Sequence, residues 1–445
     1  MDLLSNNQSS PGSTANKLSA ELMREICLEE GADDSGCVEI ERKALESDRE
    51  GILRIYPKTR SIISIIRVMN RENVQSPPRY IANTEFHLTN EKISEISRKI
   101  LRRLNKHGVR GVIPPVGFPM DMNRWPDKKI WDISHKLVAV QAGLGHMGIN
   151  RNVIHPKYGN FILLDSILID AELDGYNQPL DYNPCIGCQL CVSVCPVGAI
   201  HPDGKLDFLA CFTHNYREFN GGFQDWVEGL VSSKDVKEYR SKFRDSETAS
   251  MWQSLSTGAN YKSAYCMAVC PAGEDVLYTY IPNRKKYVEQ IVKPLREKDE
   301  PIYVIQGTRA ESVVKRNPNK EARYVHTPYR PTSISGFLNA LNIGINPEKI
   351  KGITMTVHFE FVGKEEVLAT VVISDGKLQI QEGIVGNADL RVHSDSQSWI
   401  QIVNGEMQPA AAMMSGKLKI DGSHELLQQF QQFFSTWRET HSIIG

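Results

Sequence analysis

The chain has 445 residues, 41% of them hydrophobic, which is enough for two to four domains that each bury a core. Its 52 basic and 53 acidic residues leave a formal net charge of -1, which argues against a nucleic-acid or anionic-membrane surface acting through bulk charge. No apolar run reaches the roughly 18 residues that a membrane-spanning helix needs. We therefore expect neither a nucleic-acid partner nor a membrane span.

The N-terminal segment predicts a cytoplasmic chain. Residues 1–16 are rich in Ser, Asn, Gly and Pro, which predicts disorder. They contain no basic region followed by an apolar region, so we expect the nine cysteines to stay in a reducing compartment and not to form disulfides. Leu18, Leu22 and Ile26 then recur at helical spacing up to Gly31, and Cys27 falls on the apolar side of this helix.

Residues 61–131 predict a strand, a helix and a proline-rich loop. The β-branched run at 61–68 is continuous enough for a buried strand. Residues 90–106 have apolar positions at helical spacing, and Gly108 ends that helix. The loop that follows is rigid because of its prolines, and it contains Asp121 and Asp127. Such a loop at the rim of a sheet is a candidate pocket wall.

A glycine loop follows the next predicted helix, at 133–141. Gly143, Gly145 and Gly148 form a G-x-G-x-x-G pattern, but the pattern follows a helix and not a strand. The dinucleotide-binding interpretation therefore lacks its structural context. Two interpretations stay open: the backbone approaches a flat or bulky group, or the glycines form a tight helix-to-strand turn.

Seven cysteines form two halves of an iron–sulfur motif. The first half has the spacing C-x2-C-x2-C-x3-C-P, which is typical of bacterial ferredoxins: Cys185, Cys188, Cys191 and Cys195. The second half keeps only the C-x3-C-P ending, Cys266 and Cys270, and a single Cys211 lies between the halves. A structural zinc site is the main competing interpretation, and the repeated C-P ending argues against it.

The fourth cysteine of such a half usually binds the other cluster. Cluster one then has the ligands Cys185, Cys188, Cys191 and Cys270. Cluster two has only the three thiolates Cys195, Cys211 and Cys266, and Ser263 occupies the position of its missing cysteine. Three alternatives stay open: Ser263 binds through oxygen, cluster two has three irons, or its fourth iron is open to solvent or substrate.

The glycine loop with Asn150, followed by an apolar strand and the double cysteine motif, resembles the epoxyqueuosine reductase and reductive dehalogenase superfamily. The resemblance covers residues 18–285. It implies a nitroreductase-like α/β domain that binds cobalamin and a ferredoxin-like domain that supplies electrons. The cofactor side falls on Gly143, Gly145, Gly148 and Asn150. In the epoxyqueuosine branch the implied proton donor is an aspartate before the glycine loop: Asp132 is the nearest, and Asp121 and Asp127 compete with it. Dehalogenase-like members imply a tyrosine near the corrinoid, for which Tyr80 is the candidate. His135 and His146 are candidate acids because imidazole titrates near neutral pH, and the alternative is that each is a structural polar group.

The C-terminal part predicts a separate module. A helix at 334–341 precedes three strands whose apolar residues alternate, and the chain then reads NGEMQPAAAMMSGKLKIDG. This order resembles the sterol carrier protein domain over residues 333–437, which implies an α/β fold around an apolar tunnel. The implied lining residues are Phe359, Phe361, Met413, Met414 and Phe430 or Phe434. The alternative is that they fill an ordinary core and the module serves docking.

These observations predict an α+β multidomain chain. The expected parts are a disordered segment at 1–16, the cobalamin-binding domain at 17–175, the double-cluster domain with a helical insertion at 176–286, a connector at 287–331 and the carrier-like domain at 332–445. We expect a reductase of a small, hydrophobic or halogenated substrate, which receives electrons from a ferredoxin, a flavodoxin or a reductase. Epoxyqueuosine reductases act on tRNA, but the neutral charge and the lack of helical repeats argue against this substrate. The alternatives are a non-catalytic electron-transfer protein and a lipid carrier whose clusters sense redox state or are structural.

Overall fold

The computed structural model describes residues 17–121, 131–262, 264–325, 331–345, 349–404 and 406–433. The predicted disordered segment, the proton-donor candidate Asp127, the cluster candidate Ser263 and the tunnel candidate Phe434 lie outside these residues. The chain divides into two compact units. Unit one comprises residues 1–120, 131–207 and 260–298, and unit two comprises residues 121–130, 208–259 and 299–445.

The described strands are, in chain order, β1 Asp34–Glu39, β2 Ser61–Val68, β3 Gly111–Val112, β4 His146–Met147, β5 Val153–Ile154, β6 Ile162–Ile169, β7 Glu300–Val304, β8 Lys320–Tyr324, β9 Met355–Val362, β10 Val367–Ser374, β11 Lys377–Glu382, β12 Leu390–Asp395 and β13 Leu418–Gly422.

The described α-helices are, in the same order, α1 Ala20–Glu29, α2 Glu46–Ile55, α3 Arg71–Gln75, α4 Arg79–Lys106, α5 His135–Gln141, α6 Leu190–Val194, α7 Phe208–Asn215, α8 Gly221–Val231, α9 Val236–Lys242, α10 Asp245–Thr257, α11 Tyr265–Ala268, α12 Glu274–Tyr280, α13 Arg284–Tyr287, α14 Lys293–Arg296, α15 Arg309–Lys315, α16 Ile334–Gly344, α17 Ser396–Val403, α18 Pro409–Met414 and α19 His424–Gln432. A 3-10 helix covers Lys43–Leu45, and a π-helical turn covers Val288–Val292.

A four-stranded antiparallel sheet in the order β1-β2-β6-β3 is the centre of unit one. The predicted strand at 61–68 is confirmed as β2, and it pairs along its whole length with β6. The side chains of a strand alternate between the two faces of its sheet. Ile63 and Ile65 accordingly pack with α1 and α4, whereas Ile62 and Ile66 pack in the clusters that contain α5 residues.

Helix α4 is longer than the sequence predicts, because it begins at Arg79 and not near residue 90. Ile93, Ile96, Ile100 and Leu104 recur at spacings of three and four residues and are fully or almost fully buried against the sheet. The preceding turns carry mostly polar residues, so their helical pattern is not visible in the hydrophobic periodicity. This extension places residues 79–89 beside the cysteine segments, as described below.

Unit two contains a five-stranded sheet in the order β11-β10-β9-β12-β13. All its pairs are antiparallel except β9-β12. Helices α8–α10 of the segment between the cysteine halves belong to the same unit. The residues expected to form a connector contain a parallel β7-α15-β8 arrangement. The separate sheets and helices confirm the α+β multidomain class, and the domain boundaries stay a prediction.

Among the described helices, none is both long enough and apolar enough to cross a membrane.

Candidate functional site

The first cysteine half forms a loop and a one-turn helix. Gly187 has a φ of 64°, and a Cβ at this position would meet no other atom within 4 Å, so the loop between Cys185 and Cys188 is open at this point. Gln189 then adopts a left-handed conformation (φ 57°, ψ 17°) and starts α6. A non-glycine residue pays a free-energy cost for this conformation, so its presence indicates that the turn is fixed by its surroundings.

The second half repeats this geometry. Ala264 is also left-handed (φ 69°, ψ 12°) and precedes α11, which packs against α6. Aligning the two segments on their left-handed residues, Gln189 and Ala264, pairs Cys191 with Cys266 and Cys195 with Cys270. The same register aligns position 263 with Cys188, which is the correspondence that the sequence predicts. The two halves are therefore structural repeats as well as sequence repeats.

The thiols of unit one interact in two sets. The Cys270 thiol has Cys188, Cys191 and Cys185 as its electrostatic neighbours, and the Cys266 thiol has Cys195. Among the thiols, Cys266 influences Cys191 most, ahead of Cys188 and Cys185, so the two sets are adjacent. The part of the chain that the structure describes has no group of three or more His, Cys, Asp or Glu side chains arranged around a single metal ion. The assignment of ligands stays a prediction.

Burial raises the thiol pKa values in both sets. It raises the pKa of Cys191 to about 12 and that of Cys266 to about 11, and it raises the pKa of Cys270 further. Neighbouring thiols add to the increase, because two thiolates repel each other. A bound cation reverses this preference, since a coordinated thiol is deprotonated. The buried thiols therefore fit an iron–sulfur cluster, which supplies the compensating positive charge.

Backbone N–H groups point at the sulfur atoms. The Ala199 N–H donates to Cys195 Sγ at 3.2 Å, and the N–H groups of Val197, Gly198 and Ile200 also lower the pKa of this thiol, against the larger effect of burial. The thiols of Cys188, Cys191 and Cys270 each receive a similar contribution, from Leu190, Val192 and Ala272. Such hydrogen bonds stabilise thiolate ligands and influence the reduction potential of a cluster.

Cys211 belongs to a different part of the fold. It lies half-buried in α7, which the structure groups with unit two. Its predicted role as a ligand of cluster two stays a prediction.

The predicted cofactor loop packs tightly on its own chain. A Cβ at Gly145 would lie 2.6 Å from the Ile154 carbonyl oxygen, and a Cβ at Gly148 would lie 2.6 Å from Ile154 Cδ1. At Gly143 (φ 74°), a Cβ would lie 2.7 Å from the Gln178 carbonyl oxygen. Atoms of Ile154 and Gln178 leave no room for a side chain at these positions, which fits the tight-turn interpretation. Their role toward a cofactor stays a prediction.

Asn150 connects this loop to the second cysteine half. Its side chain is almost fully buried, and its Nδ2 donates to the Cys266 carbonyl oxygen at 3.4 Å. Asn152, two residues later, donates from Nδ2 to Cys266 Sγ at 3.8 Å. The segment of the second half is also attached further along, where the Glu274 N–H donates to the Pro156 carbonyl oxygen at 2.9 Å. The loop thus joins the sheet domain to one predicted cluster ligand.

Two predicted proton donors have structural contacts. Asp132 accepts a 2.5 Å hydrogen bond from Arg54, which connects α2 to the start of α5. His135 contacts the Pro115 carbonyl oxygen through Nε2 at 3.1 Å and Ser166 Oγ through Nδ1 at 2.9 Å. A carbonyl only accepts, so Nε2 carries the proton. Burial lowers the pKa of His135, which favours this neutral form. As a result, His135 attaches the proline-rich loop to the sheet.

The other predicted donors lie in different surroundings. His146, half-buried in the short β4 strand, contacts the Met147 carbonyl oxygen through Nδ1 at 3.1 Å. Tyr80 lies in the first turn of α4 and is 70% exposed. No hydrogen bond that the structure describes connects His146 or Tyr80 to Asp132 or His135. Their catalytic roles stay predictions.

One group of residues was missed in the sequence. Tyr261 lies two residues before position 263. Its backbone N–H donates to Asn83 Oδ1 at 3.1 Å, and its ring centroid lies 6.3 Å from that of His87. Its hydroxyl lies close to Gly117 of the proline-rich loop. Burial raises the pKa of Tyr261 to about 12, so the phenol keeps its proton. Only the unpredicted N-terminal extension of α4 brings these residues together, so the sequence offered no signal.

The predicted apolar tunnel of unit two contains packed aromatic rings. Phe359 and Phe361 are buried and stack at 5.7 Å, and Trp399 and Phe337 pack edge-on against them. Phe430 completes this cluster at 6.1 Å from Phe359. Met413 and Met414 are instead 40% and 90% exposed. The aromatic residues therefore fill a core, and the two methionines lie at the surface.

Two family descriptions match parts of the chain. The 4Fe-4S binding domain family matches residues 179–201, and the SCP-2 sterol transfer family matches residues 338–435. The first match contains Cys185, Cys188, Cys191 and Cys195, so the chain has a 4Fe-4S binding domain. The second match coincides with most of the predicted carrier-like domain. Both confirm the fusion that the sequence predicts.

Relatives with similar sequences are epoxyqueuosine reductases. The enzyme of Pseudomonas aeruginosa is 25% identical over 156 residues, which is 35% of this chain and 39% of that enzyme. The enzyme of Leadbetterella byssophila is 31% identical over 123 residues, which is 26% of this chain and 40% of that enzyme. The chain thus spans about two fifths of the length of these curated relatives. The predicted kinship with the epoxyqueuosine reductases is confirmed.

Solved structures with a detectable likeness include two proteins of this superfamily. An epoxyqueuosine reductase solved with an epoxyqueuosine-modified tRNA-Tyr stem loop has a TM-score of 0.27 and 17% identity, covering 44% of this chain and 60% of that one. A catabolic reductive dehalogenase in complex with 3-bromo-4-hydroxybenzoic acid has a TM-score of 0.38 and 14% identity, covering 62% of this chain and 37% of that one.

Proposed function

We propose that this chain, which is related to the epoxyqueuosine reductases and carries a C-terminal SCP-2 sterol transfer domain, is an iron–sulfur reductase. The observation that carries the proposal is the grouping of the cysteine thiols. Six thiols of unit one, on two structurally repeated turns, form two adjacent sets that combine both halves of the motif. Two neighbouring sets of this kind are typical of proteins that move electrons in single steps.

Each part of this site has a distinct task. Cys185, Cys188, Cys191 and Cys270 would hold cluster one, and Cys195, Cys266 and Cys211 would hold cluster two, with position 263 as the fourth ligand or an open site. A bound cluster supplies one-electron transfer. The chain's backbone N–H groups stabilise the thiolate sulfurs, and the apolar residues around α6 and α11 exclude water. The half-exposed Cys185–Cys188 loop is the accessible side for an external electron donor such as a ferredoxin or a flavodoxin.

The proposal also includes a corrinoid as a second cofactor. Its support is the kinship with the epoxyqueuosine reductase superfamily, for which cobalamin is the implied cofactor. The glycine loop does not itself supply a cradle, because its close contacts are with Ile154 and Gln178 of the same chain. We therefore derive no catalytic step through this group. The protonated Tyr261, beside His87 and the proline-rich loop, joins Asp132 as a candidate acid.

The substrate is the least constrained part. The SCP-2 match supports a small hydrophobic compound, although the aromatic core of that domain is filled. The expectation of no nucleic-acid partner conflicts with the relative that was solved with a tRNA stem loop. The near-zero net charge supplies no bulk attraction to a polyanion. We propose the small hydrophobic substrate and treat the tRNA stem loop as the alternative.

Single-turnover reduction tests this function. The full chain is prepared without oxygen, loaded with iron, sulfide and cobalamin, reduced, and mixed with a halogenated aromatic compound, an epoxide or an epoxyqueuosine-modified stem loop. We expect one class of substrate to reoxidise the clusters and to yield a reduced product. The Cys270→Ser variant should lose this reaction, and the Cys27→Ser variant, whose thiol lies in the α1 core away from both sets, should keep it.

Reoxidation by the stem loop alone would replace the small-substrate proposal with a tRNA-modifying function. Clusters that exchange electrons with a carrier protein, but with no substrate in the presence of cobalamin, would favour the non-catalytic electron-transfer protein.

A further inference from the structure

A polar pair, Lys136 and Asn152, joins α5 to the turn between β4 and β5. Neither the cysteine motif nor the glycine loop explains the role of this pair. Lys136 on α5 donates from Nζ to the Arg151 carbonyl oxygen at 3.0 Å and to Asn152 Oδ1 at 2.7 Å. Asn152 Nδ2 in turn donates to Cys266 Sγ at 3.8 Å. The turn itself is closed by two backbone hydrogen bonds between Gly148 and residues 151 and 152, each 2.9 Å long.

The chemistry of this pair fixes the orientation of the amide. A lysine ammonium has three donors and no acceptor, so it selects the oxygen of the Asn152 amide. The NH2 group must then face the other way, toward the Cys266 sulfur. A charged donor on the oxygen also polarises the amide and strengthens its N–H groups as donors. Lys136 therefore controls both the direction and the strength of the hydrogen bond to sulfur.

The positive charge also acts on Cys266 directly. A single amide group separates the Lys136 ammonium from the Cys266 sulfur, since Asn152 contacts Lys136 Nζ at 2.7 Å and Cys266 Sγ at 3.8 Å. A cation that favours a thiolate also favours any added negative charge on a cluster that the thiolate binds. Asn150, on the same turn, donates from Nδ2 to the Cys266 carbonyl oxygen at 3.4 Å. This contact holds the Cys266 backbone and keeps its sulfur within reach of Asn152.

We propose that Lys136 and Asn152 are positioning residues that raise the reduction potential of cluster two, Asn152 through a hydrogen bond to the Cys266 sulfur and Lys136 through its charge and its hold on the amide. The inference rests on the proposed function, because Cys266 must be a cluster ligand. On reduction, a bound cluster would take one electron from a low-potential electron carrier, so that one ferric ion would become ferrous with no bond formed or broken. The Lys136 ammonium would stabilise the added negative charge.

The test is an EPR-monitored redox titration of the full chain, loaded with iron and sulfide. We expect Lys136→Met to make reduction of cluster two on the order of tenfold less favourable, which for a one-electron couple is a shift of about 59 mV to more negative potential. Asn152→Ala should shift it in the same direction, and the double variant should shift it by less than the sum, because the two residues act through one hydrogen bond. Lys136→Arg should restore the potential, since it keeps the charge.

Two controls separate tuning from general effects. Lys205→Met removes an exposed lysine paired with Asp203 and should leave both midpoints unchanged. The midpoint of cluster one should also stay constant in every variant. Equal shifts in the midpoint potentials of both clusters, or no shift in a variant that keeps the wild-type iron content, would overturn this inference alone. About four irons per chain would overturn cluster two and the inference together. If the Lys136→Met variant loses iron, the midpoint potential of the Asn152→Ala variant decides the question, because that variant keeps the lysine.

Discussion

At the scale of single residues, the most unusual buried group outside the site is Asp165. This carboxyl lies in β6 under α4 and is completely buried. Ser97 Oγ donates to it at 2.6 Å, and the Ser166 N–H donates at 2.7 Å. Burial outweighs both hydrogen bonds and raises the pKa of Asp165 to about 7. The folded protein thus binds this proton more tightly than the unfolded chain does.

The pH dependence follows from that preference. Stability from Asp165 is fully present below the unfolded pKa of about 4 and is lost as the pH rises through about 7. We expect Asp165→Asn to be more stable than the wild type at pH 8, by up to about 4 kcal/mol at 1.36 kcal/mol per pKa unit, and similar to it near pH 4. Thermal unfolding of both proteins across this range measures the difference.

Glu91→Gln is the matched control, because Glu91 is exposed on the same helix that covers Asp165. The stability of this variant should differ from that of the wild type by a small amount that does not change with pH. An Asp165→Asn variant that is less stable than the wild type at pH 8 would show that the carboxylate is stabilised by its surroundings, contrary to this account.

At the scale of elements, the second cysteine half is attached to the sheet domain at a tight crossing. Gly159 (φ 64°) and Gly273 (φ 97°) face each other so closely that a Cβ at Gly159 would overlap the Ala272 carbonyl oxygen. Two backbone hydrogen bonds, from Glu274 to Pro156 and from Asp275 to Lys157, lie beside the crossing. Any side chain at residue 159 must therefore push apart the two crossing segments that hold Cys270 in place.

We expect Gly159→Ala to reduce both stability and iron content. Gly108→Ala is the matched control, because Gly108 also has a positive φ (84°) but open space around it. Both variants pay about 1–2 kcal/mol for an alanine in the left-handed conformation, and only Gly159→Ala must also displace backbone. Melting temperature and iron per chain measure the effect. Equal losses in the two variants would contradict the crossing as the attachment of the cysteine half.

The sequence predicted elements well where one physical signal dominates. The buried strand at 61–68 and the three alternating strands after the helix at 334–341 follow from the hydrophobic pattern, and the structure contains them as β2, β9, β10 and β11. The N-terminal half of α4 was missed because most of its residues are polar and its stability comes from tertiary contacts. An example is the buried Glu85, which accepts hydrogen bonds from Asn70, Asn73 and Thr89.

The same limit applies to the candidate site. Cysteine spacing is a local property, so the two halves of the motif could be predicted from the sequence, whereas their crossed pairing stays a prediction. The contacts of Asn152 with Cys266 and of Tyr261 with Asn83 join residues 114 and 178 positions apart. Such contacts depend on the packing of the whole unit, and no local pattern predicts them.

At the scale of the whole molecule, the chain combines a 4Fe-4S binding domain with an SCP-2 sterol transfer domain. The second domain has a core of stacked aromatic rings, whereas Met414 at the end of α18 is almost fully exposed. An exposed methionine is an adaptable contact for a hydrophobic partner. The arrangement favours a surface role for this domain as much as a role in holding a ligand inside.

The central claim is that the cysteines of both halves hold two iron–sulfur clusters. Iron and sulfide counts, with EPR spectra of the oxidised and reduced full chain prepared without oxygen, test it most directly. We predict about eight irons per chain and two interacting reduced [4Fe-4S] signals, or about seven irons with a three-iron signal in the oxidised state if position 263 does not bind iron. A single zinc ion, or about four irons with one isolated signal that Cys266→Ser leaves unchanged, would contradict the account.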